Sequence, residues 1–233
     1  MDTILILHGW GSCAKNWQRV KEGLENGGCK VFLPDLPGFG ESPPLEKAWS
    51  IDDYVVWVKD FVEKNNFDQF FLTGHSFGGS IATKYALKFP KEVKKLILID
   101  PAVVRVKDIR KKIIAKISKF FKIFSCLPFY SLMRRAFYKF IVKSDYLSTE
   151  GPMRETRETY LRVIKGDLSN SLSDISVPTV LIWGKKDKFT PLKDAYFIKG
   201  KIVEARLEIL LNIKHNPQTE NPELLVETIL KNL

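Results

Sequence analysis

The chain has 233 residues, 45% of them hydrophobic, which predicts one domain that buries a core, with room for a sizeable insertion, and argues against disorder. No apolar run approaches the roughly eighteen residues of a membrane span. The net charge is +10, and residues 105–165 contain 16 Lys and Arg but only 5 Asp and Glu. The rest of the chain contains 21 Lys and Arg and 22 Asp and Glu. The charge pattern is therefore that of a near-neutral body interrupted by a basic segment.

The first residues and the cysteines narrow the class further. The start MDTILILHGW is too short in apolar residues for a signal peptide, so we expect a cytoplasmic protein. Cys13, Cys29 and Cys126 are odd in number and lack C-x-x-C spacing. We therefore expect neither a disulfide framework nor a structural zinc site. We also expect no other metal and no cofactor.

Six short apolar runs, mostly of β-branched or aromatic residues, predict buried strands. They are TILIL (3–7), KVFLP (30–34), QFFLT (69–73), KLILID (95–100), PTVLIW (178–183) and RLEILL (206–211). Helical patterns lie between them, at 50–64, after the third run, at 190–198 and at 221–230. This alternation predicts an α/β fold, with a mostly parallel sheet of about six strands and helices on both faces.

Capping residues mark the starts of three of these helices. Ser50 is followed three residues later by Asp53, which is the spacing of a capping box. Thr190 and Asn221 each precede a proline, so we expect each to cap a helix whose first residue is that proline.

The basic segment has a helical pattern of its own. In IRKKIIAKISKFFKIF (109–124), Ile and Phe fall on one stripe and Lys and Arg on the opposite one. Further helices are predicted around 130–142 and 155–164. We predict a core formed by 1–106 and 167–233, interrupted by a basic helical insertion at 107–166.

Polar segments follow the predicted strands, where open parallel sheets bind ligands. They are HGWG (8–11), DLPGFGES (35–42), GHSFGG (74–79), GKKDKFTP (184–191) and KHNPQTENPE (214–223). We expect DLPGFGES to be a structural turn and the other segments to supply chemistry.

These segments, taken over almost the whole chain, resemble the α/β-hydrolase family. GHSFGG resembles its nucleophile elbow, in which Gly74 and Gly78 let strand and helix approach closely. The resemblance implies that Ser76, Asp187 and His215 form the catalytic triad, in the family order. It also implies an oxyanion hole, which we assign to the backbone N–H groups of Phe77 and Trp10.

Two assignments had competitors in the sequence. The chain has three histidines. His75 is adjacent to Ser76 in a tight turn and is expected to point elsewhere, and His8 belongs to the H-G pattern, whose histidine braces a loop in the family. His215 therefore remains as the base. For the acid we favour Asp187, with Asp100 after the fourth strand as the alternative. Lys214 departs from the family, which has glycine before this histidine.

The resemblance implies a serine hydrolase, most simply of class EC 3.1.1, that cleaves a carboxylic ester or thioester with a hydrophobic acyl group through an acyl-enzyme. A lactonase or a carbon–carbon bond hydrolase would use the same triad. A ligand-binding or docking protein on the same scaffold is the alternative without catalysis.

The insertion is the part that implies partners. In the family, an insertion between these strands is a helical cap over the active site, so its apolar stripe is expected to face the substrate. HGWG, DLPGFGES and the basic segment also resemble carrier-protein methyl ester esterases of the family. An acidic carrier protein or an anionic membrane surface would fit the basic stripe. Nucleic acid is not expected, because no recognition module accompanies the charge.

Overall fold

The computed structural model describes residues 1–104 and 154–233, and six parallel strands form its sheet in the order β2-β1-β3-β4-β5-β6. The strands are β1 (Thr3–Leu7), β2 (Lys30–Phe32), β3 (Phe70–His75), β4 (Val93–Ile99), β5 (Thr179–Gly184) and β6 (Arg206–Leu210). Every neighbouring pair is parallel. The predicted α/β fold with about six strands is confirmed.

Seven α-helices lie in the described residues. They are α1 (Gln18–Asn26), α2 (Ile51–Lys64), α3 (Phe77–Lys88), α4 (Arg154–Val163), α5 (Leu192–Lys201), α6 (Pro217–Glu220) and α7 (Pro222–Lys231). The helices predicted at 109–124 and 130–142 lie outside the described residues. Within 1–104 and 154–233, no helix combines the length and the apolar character that crossing a bilayer requires.

The sheet is buried on both faces because its strands are apolar at successive positions. All six residues of β3 are buried. Leu5 and Leu72 face one apolar cluster, together with α2 and α3, whereas Ile4 and Phe71 face a second cluster, together with α1 and α7. Each fully buried side chain of this size stabilises the fold by about 1.5–3 kcal/mol.

The helix starts follow the predicted capping residues in two of three cases. Ser50 and Asp53 form the capping box of α2, and the Asn221 side chain accepts a hydrogen bond from Leu224 N at the start of α7. The prediction for Thr190 is wrong: α5 begins at Leu192 after Pro191, without a side-chain cap. The Thr190 hydroxyl instead donates to Asp187 Oδ2 at 2.6 Å, because a carboxylate is the stronger acceptor.

Candidate active site

The turn between β3 and α3 presents Ser76 at the carboxyl end of the central strands. Its backbone has φ 50° and ψ −111°, which costs a non-glycine residue of the order of 1–3 kcal/mol. The turn is held by its backbone: Ser76 N donates to Ile99 O at 3.0 Å, and Ser76 O accepts from Ala102 N at 3.0 Å. This serine is therefore fixed in a strained turn above the sheet, as a nucleophile elbow requires.

Two glycines make this turn sterically possible. A Cβ on Gly74 would lie 2.5 Å from Gly78 O, and a Cβ on Gly78 would lie 2.1 Å from Leu7 O. Both clashes are with backbone, which cannot rotate away. The start of α3 therefore packs directly on the ends of β3 and β1.

The imidazole of His215 lies between a hydroxyl and a carboxylate. Its Nδ1 is 2.7 Å from Asp187 Oδ2, and its Nε2 is 3.0 Å from Ser76 Oγ. Because a carboxylate only accepts, Nδ1 carries the hydrogen and Nε2 accepts from the Ser76 hydroxyl. The arrangement can pass a proton from Ser76 to an imidazole that Asp187 orients.

The loop that carries His215 follows β6 and precedes α6. Its backbone is held by Glu220, whose carboxylate accepts from Lys214 N at 2.9 Å and from Asn216 N at 3.2 Å. A Cβ on Gly184 would lie 1.9 Å from Lys214 O, so Gly184 supplies the close approach at this loop. Lys214 thus fits where the family has glycine.

Asp187 accepts hydrogen bonds on both of its oxygens. Oδ1 accepts from Phe189 N at 2.7 Å and from Thr190 N at 3.1 Å, and Oδ2 accepts from the Thr190 hydroxyl and His215. Burial alone would raise the pKa of Asp187, but the bond and charge of His215 and the bonds from Thr190 and Phe189 together hold it below its ordinary value. Asp187 is therefore ionised.

Asp100, unlike Asp187, is protonated. It is fully buried at the end of β4, with φ 44°, and its Oδ1 accepts from Gly184 N at 2.9 Å. Burial, followed by the negative charge of Asp187, raises the pKa of Asp100 to about 9. The structure thus brings Asp187, and not Asp100, to His215 Nδ1, and Asp100 is a neutral acid near pH 7.

The two loops assigned to the oxyanion hole meet at the same edge of the sheet. Phe77 is the first residue of α3, so its N–H is one that an α-helix leaves without an intrahelical acceptor. Trp10 follows β1, and its ring lies 5.3 Å from that of Phe77. The N-terminal end of α3 also favours negative charge here.

An aromatic cluster surrounds Trp10. Its ring makes edge contacts with Phe39 at 4.8 Å, Phe77 at 5.3 Å and Tyr160 of α4 at 5.2 Å. Phe189, 61% exposed, lies 5.1 Å from the ring of His215. Aromatic rings therefore lie beside His215 and beside Phe77, the residue that follows Ser76.

The remaining loops of this edge are braced internally. His8 Nδ1 donates to Gly9 O at 2.9 Å, and its Nε2 accepts from Leu36 N at 3.0 Å, which fits the bracing role expected of His8. Asp35 accepts from Ala14 N at 2.6 Å and from Glu41 N at 2.8 Å. These hydrogen bonds are those expected if DLPGFGES is a structural turn.

The sequence reasoning missed Thr190 and His75 as parts of this region. Thr190 lies three residues after Asp187, a spacing at which a hydroxyl can reach back to a carboxylate, so the signal was present but was interpreted as a helix cap. His75 contacts His215 across 140 positions of sequence, and no local pattern encodes that contact.

One group of possible metal ligands lies in the described residues. Ligand-type atoms of His75, Asp100 and His215 lie within 4.8 Å of one another. Zinc with nitrogen ligands at about 2.0–2.1 Å would need them about 3.4 Å apart. Both nitrogens of His215 are already engaged, by Asp187 and Ser76, so a metal ion would have to displace one of these contacts. The donor set does not fit a resident metal.

Comparison with known proteins identifies the family of the chain. The α/β hydrolase fold family model matches residues 2–131. Lipase 3 of Moraxella sp. (strain TA144) is 23% identical to this chain, and the match covers 94% of this chain and 73% of the lipase. The 2-hydroxy-6-oxononadienedioate/2-hydroxy-6-oxononatrienedioate hydrolase 1 of Pseudomonas putida is 25% identical, and the match covers 98% of this chain and 87% of that hydrolase. The solved structure of an esterase (EaEST) from Exiguobacterium antarcticum superposes with a TM-score of 0.76 at 21% identity, over 100% of this chain and 91% of that one.

The family match covers more than half of the chain, and the structural neighbour has the same fold as the described residues. The chain belongs to the α/β-hydrolase fold family and is a hydrolase.

Proposed function

We propose that this protein is a serine hydrolase that cleaves a carboxylic ester or thioester with a hydrophobic acyl group. The observation that carries the proposal is the continuous hydrogen-bond chain from Ser76 Oγ through His215 to Asp187, with distances of 3.0 and 2.7 Å. The lipase and esterase named among its relatives support the ester class.

In the proposed reaction, Ser76 Oγ attacks the acyl carbonyl while His215 Nε2 takes its proton. The N–H groups of Phe77 and Trp10 hold the oxyanion. His215 then gives the proton to the leaving group, and the acyl-enzyme is released by water that His215 activates. Asp187 orients the imidazole and stabilises its positive charge.

The acyl group is proposed to be hydrophobic because aromatic rings lie beside Phe77 and His215. Trp10 contacts both Phe77 and Tyr160 beside the proposed oxyanion hole, and Phe189 flanks the imidazole. Apolar side chains of this kind bind an acyl chain by removing both surfaces from water.

The proposal is tested with a fluorophosphonate probe and Ser76→Ala. We expect the probe to label wild-type protein at one site and the variant not at all, and Ser76→Ala to lower kcat for p-nitrophenyl esters about 10⁴-fold or more. Ser173→Ala is the matched control, because Ser173 is exposed and distant in the chain. Unlabelled wild-type protein would instead support a binding protein on this scaffold.

Carbon–carbon bond hydrolysis is the second candidate. The Pseudomonas putida relative is named for a hydroxy-oxo-dienedioate, a compound whose name includes no ester. Lactone opening would use the same residues. A panel of p-nitrophenyl esters from two to sixteen carbons, lactones, carrier-bound methyl esters and a 2-hydroxy-6-oxo-dienoate separates these activities by the ratio of kcat/KM.

We further propose that residues 107–166 form a cap domain whose basic residues bind an anionic partner, either an acidic carrier protein or a membrane surface. Two features of the sequence support this proposal. The charge excess of the whole chain lies in this part, and Asp108 is the only acidic residue within 107–143. Ordinary solvated helices mix both signs of charge.

A further inference from the structure

His75 lies beneath the proposed triad and has no role in the reaction described above. It is the last residue of β3, directly before Ser76, and only 2% of its surface is exposed. A buried imidazole is costly unless its polar atoms are used. Its contacts therefore show what the side chain does.

The Nε2 of His75 hydrogen bonds to the loop that carries the base. It lies 2.7 Å from the backbone oxygen of His215, and the two imidazole rings are 5.1 Å apart. Since a carbonyl can only accept, His75 Nε2 carries the hydrogen. The residue before the proposed nucleophile thus holds the peptide of the proposed base.

The opposite side of the ring faces the loop after β1. A Cβ on Gly9 would lie 2.9 Å from His75 Nδ1, and the Trp17 ring is 5.6 Å away. Within 1–104 and 154–233, Nδ1 has no hydrogen-bond partner. His75 therefore contacts the loop of Trp10, the serine turn and the loop of His215 at once.

Burial, followed by the nearby charge of His215, lowers the pKa of His75 to about 3. The ring is therefore neutral from pH 5 to 9, and its single hydrogen stays on Nε2. His215 becomes positively charged during turnover, and its ring lies 5.1 Å from that of His75. Because His75 is neutral, it does not repel this charge.

We propose that His75 is a positioning residue, which fixes the His215 loop at hydrogen-bond distance from Ser76 through its Nε2–H bond to the His215 carbonyl. This inference rests on the proposed function. The contact would set how often the imidazole is aligned for proton transfer, so its loss should lower kcat and leave KM nearly unchanged.

Three substitutions test the contact. His75→Gln places an amide N–H close to the position of Nε2, His75→Asn places it near Nδ1, where it cannot reach the His215 carbonyl, and His75→Leu has no donor. We expect Asn and Leu to lower kcat about 10- to 100-fold with KM within about threefold, and Gln to restore most of it. The fluorophosphonate labelling rate should fall in parallel, with labelling still complete.

A purely structural role for His75 would give a different pattern. The three variants would then lose activity in proportion to their loss of thermal stability, with Gln no better than Asn. That result, or wild-type labelling rates in the Asn and Leu variants, would overturn the proposal while labelling of Ser76 still supported the hydrolase. Wild-type protein that is not labelled at Ser76 would instead remove the proposed function.

A measurement on wild-type protein tests the inference even if the His75 variants fail to fold. The hydrogen-bond partners predict that His8 and His215 carry their neutral hydrogen on Nδ1 and His75 alone on Nε2. Nitrogen-15 histidine spectra should show one Nε2–H tautomer that does not titrate between pH 5 and 9. An Nδ1–H tautomer at His75 would refute the inference, because Nε2 could then no longer donate to the His215 carbonyl.

Discussion

Two buried carboxyl groups lie at neighbouring strand ends, and their surroundings give them opposite charges. Asp187 accepts four hydrogen bonds, including one from His215, whereas Asp100 accepts one from Gly184 N. Hydrogen bonds to a carboxylate lower its pKa, and burial without them raises it. The environment of each residue, and not its type, therefore decides which of them can serve the imidazole.

Asparagine substitutions separate the two acids. Asp187→Asn should lower kcat about 10³-fold or more, because an amide can donate to His215 Nδ1 and favour the wrong tautomer. Asp100→Asn should change kcat less than about threefold, because the neutral acid and the amide have similar shape and both accept from Gly184 N. Steady-state kinetics on one ester compares them. The reverse ranking would make Asp100 the triad acid.

The stability of the protein should depend on pH through Asp100. Its pKa is about 9 in the folded protein and near the ordinary value of 3.8 when unfolded. Between these values the folded state holds a proton that the unfolded state has lost, so stability falls as pH rises. Asp100→Asn cannot titrate. The melting temperature of the variant minus that of the wild type should therefore increase from pH 5 to pH 8, which thermal unfolding measures. A difference that does not change with pH would contradict the raised pKa.

At this scale, the sequence predicted which residues meet better than how they are held. The elbow motif and the chain order led to Ser76, Asp187 and His215, which the structure brings within hydrogen-bond distance. The role of Thr190 was mistaken, since its hydroxyl could serve a helix or a carboxylate and only the fold decides. Whether the triad is catalytic stays a prediction.

At the scale of elements, the elbow depends on how closely α3 approaches the strands. Two contrasting glycines show this dependence. A Cβ on Gly78 would meet backbone atoms of Leu7 and His8, whereas a Cβ on Gly200 in α5 would have no neighbouring atom of the described residues within 4 Å.

Alanine at these two positions should change stability in opposite directions. Gly78→Ala should destabilise the fold by about 1–3 kcal/mol, because the backbone at the end of β1 cannot move aside. Gly200→Ala should stabilise it by about 0.5–1 kcal/mol, because alanine loses less backbone entropy in a helix. Urea unfolding measures both. A Gly78→Ala variant as stable as wild type would contradict the close approach.

The strands were predicted to within a few residues, and the differences have physical causes. β2 ends at Phe32 rather than at Pro34, since proline has no N–H for a sheet. β3 continues to His75, beyond the predicted end at Thr73, because Gly74 and His75 still pair with Leu98 and Ile99 of β4. Pairing with a neighbour is a tertiary property that local sequence does not carry.

At the scale of the whole molecule, charge is the feature that the sequence shows most plainly. The part outside 105–165 is near neutral, so an anionic partner attracted by net charge should respond mainly to the basic segment. The boundaries of the core and the insertion stay predictions, since most of 107–166 lies outside the described residues.

Charge reversal tests this proposed role. Replacing Lys111, Lys112 and Lys116 by Glu should abolish binding to vesicles rich in phosphatidylglycerol, or to an acidic carrier protein, and about 0.5 M salt should weaken wild-type binding. The control reverses three exposed lysines of the described part, Lys91, Lys193 and Lys199. Co-sedimentation measures the vesicles, and calorimetry the carrier. Binding that survives both salt and reversal would exclude electrostatic docking.

The order of the proposed catalytic residues along the chain has one more consequence. Ser76 and Trp10 lie in the stretch before residues 105–153, and Asp187 and His215 lie in the stretch after them. The two stretches are hydrogen bonded to each other where β4 pairs with β5, from Leu96–Thr179 to Ile99–Ile182. A protease that cut once between these stretches would leave one fragment with an alcohol and no base, and another with a base and no alcohol. Neither could turn over alone, and activity would return only when the fragments reassembled along that strand pair.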